Sequence, residues 1–386
     1  MVAHGRRRFL PFRCFDAVSH PTWVGNLVAV SGGDSDTGHM NNRPYVVQFG
    51  AGAIGRGFAG QLWSDSGYEV VYVDLDQSMV EALNQRGSYP LRLVDGESVH
   101  DRNIEPVSAI DGRDTAAVDE ALSTCTFAAT AIGGDHFFKL APRFAAVDRE
   151  SPLNIILCEN RTGAAQLMRD ALGDTRAPVG CCAAEVGRMV PVPTSELRAE
   201  DPLLVLAEPF VPLIVDRTGW LGPVPDLSGV LFVDDLAPHH ARKLYTHNGG
   251  HFVLACLGAA RGMTYLADAA RDPELVEVLT GFWAETGAAM VAHYGIDPDE
   301  QRLFEARLLE RFRNRALGDT VERVARDPLR KLRPDDRLVG AALLCVEHGI
   351  EPVFCREAIA AAAGYAGVSV EDLSLPDGIL DTETAS

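Results

Sequence analysis

The sequence predicts an α/β protein: an N-terminal Rossmann-type doubly wound domain followed by a C-terminal mainly α-helical domain. Three observations carry this. From Tyr45 onward, apolar runs of strand length alternate with helical stretches; a glycine-rich turn joins the first strand to the first helix; beyond Pro238 nearly every segment reads as helix. At 386 residues the chain exceeds one small core. The expected organisation is a disordered extension over 1–43, a cofactor domain with added strands over 44–234, a helical substrate domain over 235–370 and a flexible tail over 371–386.

The extension opens on "GRRRFLPF", which has the twin-arginine look of an export signal, but Pro11, Arg13, Asp16 and His20 break the apolar core such a signal needs. The polar, turn-rich "SGGDSDTGHMNNRP" follows. The folded pattern starts just after Met40, as it would if the extension came from a start assigned too far upstream. "YVVQFG" is then a buried strand, "RGFAGQLWSDSG" a helix closed by glycine, "EVVYVDLD" a second strand and "SMVEALNQRG" a helix with Gly87 near its end. "TFAATAIG" and "LNIILCEN" are further parallel-sheet runs, separated by a helical stretch from Phe137 to Val147. "PLLVLAEPFVPLIVDR" and "GVLFVDD" read as strands with prolines at their margins. "HHARKLYTHN", "ELVEVLTGFWAETGAAMVAHYG", "QRLFEARLLERFRN" and "DRLVGAALLCVEHG" read as helices.

A net charge of −19 argues against nucleic acid or an anionic membrane as the partner and leaves a small molecule, with any anionic substrate drawn in by a local basic pocket. No apolar run approaches the roughly 18 residues of a membrane span. The eight cysteines, Cys14, Cys125, Cys158, Cys181, Cys182, Cys256, Cys345 and Cys355, form no C-x-x-C pair, and are expected as reduced, mostly buried thiols of a cytoplasmic protein.

"FGAGAIGRGF" places Gly50, Gly52 and Gly55 between strand and helix, the order a dinucleotide site requires. Gly50 makes the tight turn, Gly52 leaves room for pyrophosphate, and Gly55 lets helix and strand pack closely. Ala53 and Ile54 open the helix whose free N–H groups face the phosphates. Asp74, roughly 20 residues on, suits the adenine ribose hydroxyls and would repel a 2′-phosphate, so the expected cofactor is NAD.

"KLYTHNGGH", Lys243 to His251, is the most chemically dense stretch. Read alone, Lys243 is a solvated helix lysine. His247 and His251, with His239 and His240 upstream, permit a metal site, although Gly249 and Gly250 interrupt the pair and no further ligand lies nearby. Asn160, after a strand, is a turn residue on the same terms.

Together with "FGAGAIGRGF", "SPLNIILCEN" and "VERVARDPLRKLRPDDRLVG" in this order, the stretch resembles the mannitol-1-phosphate 5-dehydrogenases, within the long-chain polyol-specific dehydrogenases, from about Tyr45 to about Gly364. The resemblance implies a metal-independent, NAD-linked interconversion of mannitol 1-phosphate and fructose 6-phosphate. It also implies roles: Lys243 as general acid/base, Asn160 and Asn248 as amide donors to the alkoxide, and His251 as orienter of a substrate hydroxyl. An ordinary lysine titrates near ~10.4, so desolvation and the nicotinamide charge are expected to lower this one. On a regular helix Asn248 and His251 share a face, whereas Lys243 lies about 140° away. Arg330 and Lys331, from the cation-rich "VERVARDPLRKLRPDDRL", are the expected phosphate binders. The family's V-D-R-I-V-P reads "VGRMVP" here, with Gly187 for the aspartate and Glu185 as a possible substitute. Two rivals stay open: a relative acting on unphosphorylated polyols or hexuronates, and a non-catalytic NAD-binding sensor.

Overall fold

A computed structural model describes residues 43–191, 193–209 and 212–379. Of the extension expected over 1–43, only Arg43 is among them, and Cys14 lies outside. The described strands are β1 (Tyr45–Phe49), β2 (Glu69–Asp74), β3 (Tyr89–Asp95), β4 (Ser98–Ile104), β5 (Val107–Asp111), β6 (Phe127–Thr130), β7 (Leu153–Leu157), β8 (Val179–Glu185), β9 (Val205–Ala207), β10 (Leu213–Asp216) and β11 (Val230–Val233). Eight of them form one sheet in the order β11-β10-β8-β7-β6-β1-β2-β5. From β5 to β8 every neighbour is parallel. The order β5-β2-β1-β6-β7-β8 is that of a doubly wound dinucleotide-binding sheet, whose topological switch falls between β1 and β6.

Two apolar layers explain why these strands read as continuous hydrophobic runs. Val46, Phe58, Trp63, Tyr72 and Phe127 pack on one face, and Val47, Phe49, Phe144, Ile155 and Leu157 on the other. Gln48 is the polar exception in β1. It is fully buried and satisfied, accepting from Trp63 Nε1 at 3.0 Å and donating to the Phe49 carbonyl at 3.0 Å.

The sequence reading passed over β3, β4, β5 and β8. β8 is "VGCCAAE", poor in branched residues, and β4 is exposed along all but Ile104. β3 and β4 form a hairpin that, with β9, makes a separate three-stranded sheet. "PLLVLAEPFVPLIVDR" thus splits between two sheets: β9 joins the hairpin, and β10 runs antiparallel to β8, pairing Ile214 with Glu185.

The helical half is held by a core that includes Phe252, Leu279, Phe282, Trp283, Phe312 and Ile359. Its longest helix, Pro273–Tyr294, starts where the Asp272 carboxylate accepts from the Glu274 and Leu275 N–H groups, and ends on left-handed Gly295. Its length and apolar makeup match a membrane span, a feature the count of unbroken apolar residues did not pick out. In the fold it buries Leu275, Leu279, Phe282, Trp283 and Met290 against its neighbours. Residues 371–379, which open the stretch expected as a flexible tail, place Leu373 and Leu375 against this core and bury Ile379 within it. The seven described cysteines are free and buried.

Candidate active site

The glycine turn has the close approaches its spacing predicts. Gly50 has φ +91°, and a Cβ there would fall 2.4 Å from the Ala131 carbonyl oxygen at the end of β6. A Cβ on Gly55 would meet the Gly50 carbonyl oxygen, whereas at Gly52 it would meet no atom within 4 Å. That is the open backbone a pyrophosphate needs. Asp74 closes β2 and fastens the turn: its carboxylate accepts from the Ala51 N–H at 2.7 Å and the Asp76 N–H at 3.0 Å. Its oxygens keep further lone pairs for ribose hydroxyls. Ala53 and Ile54 begin the helix, and Ile54 reaches the cleft described next.

A cleft of about 400 Å³ lies over the carboxyl ends of β6, β7 and β8. Asn160, Lys243, His247, Asn248 and His251 all line it. The 140° obstacle is removed by the backbone. Residues Arg242–Gly249 are wound as a π-helix between the α-helical turns Ala237–Ala241 and Gly250–Ala260. Hydrogen bonds in a π-turn run i→i+5, so Lys243 and Asn248, five apart, stack on one side. Asn248 and His251, three apart across the return to α-helix, stay together.

Neighbouring helices fix this winding. Trp283 Nε1 donates to the Thr246 carbonyl at 2.9 Å, and Gln301 Nε2 donates to Thr246 Oγ1 at 3.1 Å. Gly249 and Gly250 let the Phe282 and Trp283 rings press directly on the backbone.

The Lys243 ammonium donates to Asn160 Oδ1 at 2.9 Å and pairs with Glu185 Oε1 at 3.0 Å. Asn160 follows β7 and Glu185 ends β8, so a lysine from the helical half reaches across the sheet's carboxyl edge. Because Asn160 Oδ1 faces the ammonium, its NH₂ group is the end left to donate. Among the described residues no protein group hydrogen-bonds the Asn248 amide. His251 stacks on Phe312, with ring centroids 4.9 Å apart, and its Nε2 lies 3.0 Å from Asp319 Oδ2. That contact is at ion-pair distance but off the line of a good hydrogen bond.

Three acids complete the site, and sequence reasoning gave a role only to Glu185. Glu159, in "CEN", is buried and accepts from the Ile132 and Gly133 N–H groups at 3.0 and 2.9 Å, tying the β6 loop to β7. Burial opposes ionisation of Glu185, but hydrogen bonds and charge from His240 and Lys243 outweigh it and hold its carboxyl below the usual glutamate value. Asp319 is likewise penalised by burial and pulled down overall by His251 and Arg323. Asp319 could not be found from spacing, because its link to His251 is purely tertiary.

Of the four histidines of the metal alternative, His247 and His251 stay neighbours, with ring centroids 5.9 Å apart. Burial, helped by Arg242, pushes His239 down to about 4, and burial holds His247 well below the ordinary histidine value. His240 pairs with Glu185, and His251 faces Asp319.

The expected phosphate binders do not reach the cleft. Lys331 turns inward, donating to the Val324 carbonyl at 2.7 Å beside the Phe252 ring, and burial lowers its ammonium to about 8. Arg330 pairs at 3.0 Å with Asp336. Neither lines the cleft; Arg323, from the same basic stretch, does. Its guanidinium is half exposed and held by Asp319. At Gly187 the carbonyl accepts from Arg311 Nη2 at 2.6 Å, and the same guanidinium pairs with buried Glu208 at 2.6 Å.

Residues 44–229 match the family described as Mannitol dehydrogenase Rossmann domain, and residues 235–373 the Mannitol dehydrogenase C-terminal domain. The chain is similar to the mannitol-1-phosphate 5-dehydrogenase of Brevibacillus brevis, with 40% identity over 338 residues, 83% of this chain and 86% of the relative. The Bacillus subtilis mannitol-1-phosphate 5-dehydrogenase is 37% identical over 334 residues, 83% of this chain and 87% of that protein. A similar fold occurs in the ternary complex of Pseudomonas fluorescens mannitol 2-dehydrogenase with NAD and D-mannitol. There the TM-score is 0.64 at 19% identity, over 88% of this chain and 82% of that one. With both halves matched and more than four-fifths of each relative covered, this chain belongs to the mannitol dehydrogenase family.

Proposed function

We propose that this protein is an NAD-dependent mannitol-1-phosphate 5-dehydrogenase of the cytoplasm, interconverting D-mannitol 1-phosphate and D-fructose 6-phosphate. The observation that carries the chemistry is the placement of Lys243 between Asn160 and Glu185, with Asn248 brought to its side by the π-turn. When bound, NAD takes the hydride. Lys243, as the amine, accepts the hydroxyl proton, and as the ammonium returns it in the reverse direction. The Asn160 and Asn248 amides donate to the oxygen as negative charge gathers there. His251, fixed by Phe312 and Asp319, orients a neighbouring hydroxyl. Arg323, the half-exposed cation at the cleft, takes the place of Arg330 and Lys331 as the residue that meets the phosphate. With a lysine to move the proton and two amides to hold the oxygen, the reaction needs no metal.

The test is NADH oxidation with fructose 6-phosphate, fructose and fructuronate, each with and without EDTA. Preference for fructose 6-phosphate, unchanged by EDTA, is expected. A preference for an unphosphorylated ketose would overturn the substrate, NADH binding without turnover would favour the sensor, and loss of rate in EDTA would overturn the metal-free chemistry.

A further inference from the structure

The proton that Lys243 accepts arrives in a nearly closed place. The lysine side chain is 14% exposed even before substrate and cofactor cover it. Of the two groups the ammonium touches, the Asn160 amide does not titrate and the Glu185 carboxylate does. Glu185 offers one oxygen to each of two partners: Oε1 lies 3.0 Å from Lys243 Nζ, and Oε2 lies 2.8 Å from His240 Nδ1. Its own side chain is 9% exposed, whereas that of His240 is 35% exposed, so the row runs from buried to solvent-facing. At the outer end, His240 Nε2 lies 3.4 Å from the hydroxyl of exposed Thr162. Imidazole is the side chain best suited to passing protons near neutrality. His239, whose charge would also act on Glu185, is kept neutral by burial and Arg242. Lys243 and His240 are therefore the groups with which the carboxylate exchanges.

We infer that Glu185 and His240 carry the substrate proton from Lys243 to solvent during oxidation and return it during reduction, an inference that rests on Lys243 being the acid–base of the proposed reaction. The substrate O–H bond breaks as hydride leaves carbon for NAD, and the Lys243 amine becomes an ammonium. An N–H bond of that ammonium then breaks and an O–H bond forms at Glu185 Oε1. Rotation of the carboxyl group presents this proton to His240 Nδ1. The imidazole, as its Nε2–H tautomer, gains it at Nδ1 and releases the Nε2 proton to water, and a half-turn of the partly exposed ring then sets the bare nitrogen against the carboxyl group for the next turnover. One proton enters and one leaves, and Lys243 and Glu185 return to amine and carboxylate. This row uses Glu185 rather than an acid at position 187, where the chain has glycine.

Glu185→Gln and His240→Gln, in the full chain, test it through mannitol 1-phosphate oxidation in H₂O and D₂O over a series of imidazole concentrations. Each variant should keep its NADH affinity, lose about tenfold or more in kcat, show a larger solvent isotope effect, and regain rate as imidazole rises. A structural role would not respond to an added proton carrier. Either variant turning over at the wild-type rate with an unchanged isotope effect would overturn the inference, as would a loss that imidazole does not restore. His240→Gln alters a partly exposed position and keeps the test decisive if Glu185→Gln misfolds. If the wild type ignores mannitol 1-phosphate, the substrate proposal fails, and the same comparison is made on the polyol it does oxidise.

Discussion

Gly250→Ala tests whether pressure from the helix Pro273–Tyr294 holds the π-turn in register. A Cβ at this position would lie 2.7 Å from Trp283 Nε1, 2.8 Å from Trp283 Cζ2 and 2.9 Å from Leu279 Cδ1. The indole has little room to yield: Trp283 is 2% exposed, and its N–H is committed to the Thr246 carbonyl. The backbone must therefore give way. Overpacking of this kind costs about 1–3 kcal/mol, and each kcal/mol lowers Tm by roughly 2–4 °C in a domain of this order of size. The same displacement moves Lys243 and Asn248 against Asn160, and a misplacement of about 1 Å costs on the order of 10²-fold in rate. The assay pairs a thermal melt with kcat/KM for fructose 6-phosphate. Gly364→Ala is the control, because at this exposed position of the helix Val353–Ala366 its Cβ would meet nothing within 4 Å. That change should be neutral or stabilise by up to about 1 kcal/mol. A Gly250→Ala protein with wild-type Tm and activity would refute the claim that this contact sets the site.

Asn248→Ala removes one of the two proposed alkoxide donors and should lower kcat by about 10²–10³ without weakening NADH binding, as read by stopped-flow and fluorescence titration. Arg311→Ala takes the ion-pair partner from the buried Glu208 carboxylate, leaving it the Met189 N–H, and should cost up to about 3–5 kcal/mol, seen as a fall in the urea midpoint. Glu305 supplies a pH test. Burial pushes its carboxyl up to about 7 against the Gln301 hydrogen bond, so the folded state holds that proton more tightly than the unfolded chain. Stability from this group is then lost as pH rises from the ordinary glutamate value near ~4.3 through about 7. Glu305→Gln should therefore melt higher than wild type at about pH 8, with the difference gone by about pH 4.

Local chemistry made the cofactor half legible. Strand, glycine turn, helix and acid follow one another within thirty residues, and each imposes its own residue type. The β3–β4 hairpin also carries a readable signal, Asp95-Gly96 between alternating residues, with Gly96 at φ +59°. It was hidden by the charges of β4. The lysine site was legible in its residue types but not in its shape. The π-winding depends on Trp283 and Gln301, which lie 37 and 55 residues beyond Thr246 and leave no mark on the motif itself. Which of the basic residues lines the cleft was hidden for the same reason. Lys331 looks like a free cation until Phe252 and the Val324 carbonyl capture it.

Because Lys243 stands on one half of the chain and Asn160 and Glu185 on the other, the proposed chemistry requires the two halves to stay packed. Specific polar links, rather than apolar contact alone, set their register. Arg311 of the helical half reaches Glu208 and the Gly187 carbonyl, and buried Asn314 donates to the Val94 carbonyl at 2.9 Å. Gly187 lies two residues from Glu185, so the same short segment carries both a seam contact and the carboxylate against the lysine. Glycine at 187 offers the guanidinium only its carbonyl, beside the Glu208 carboxylate, and the nearest acid on that segment, Glu185, faces the Lys243 ammonium.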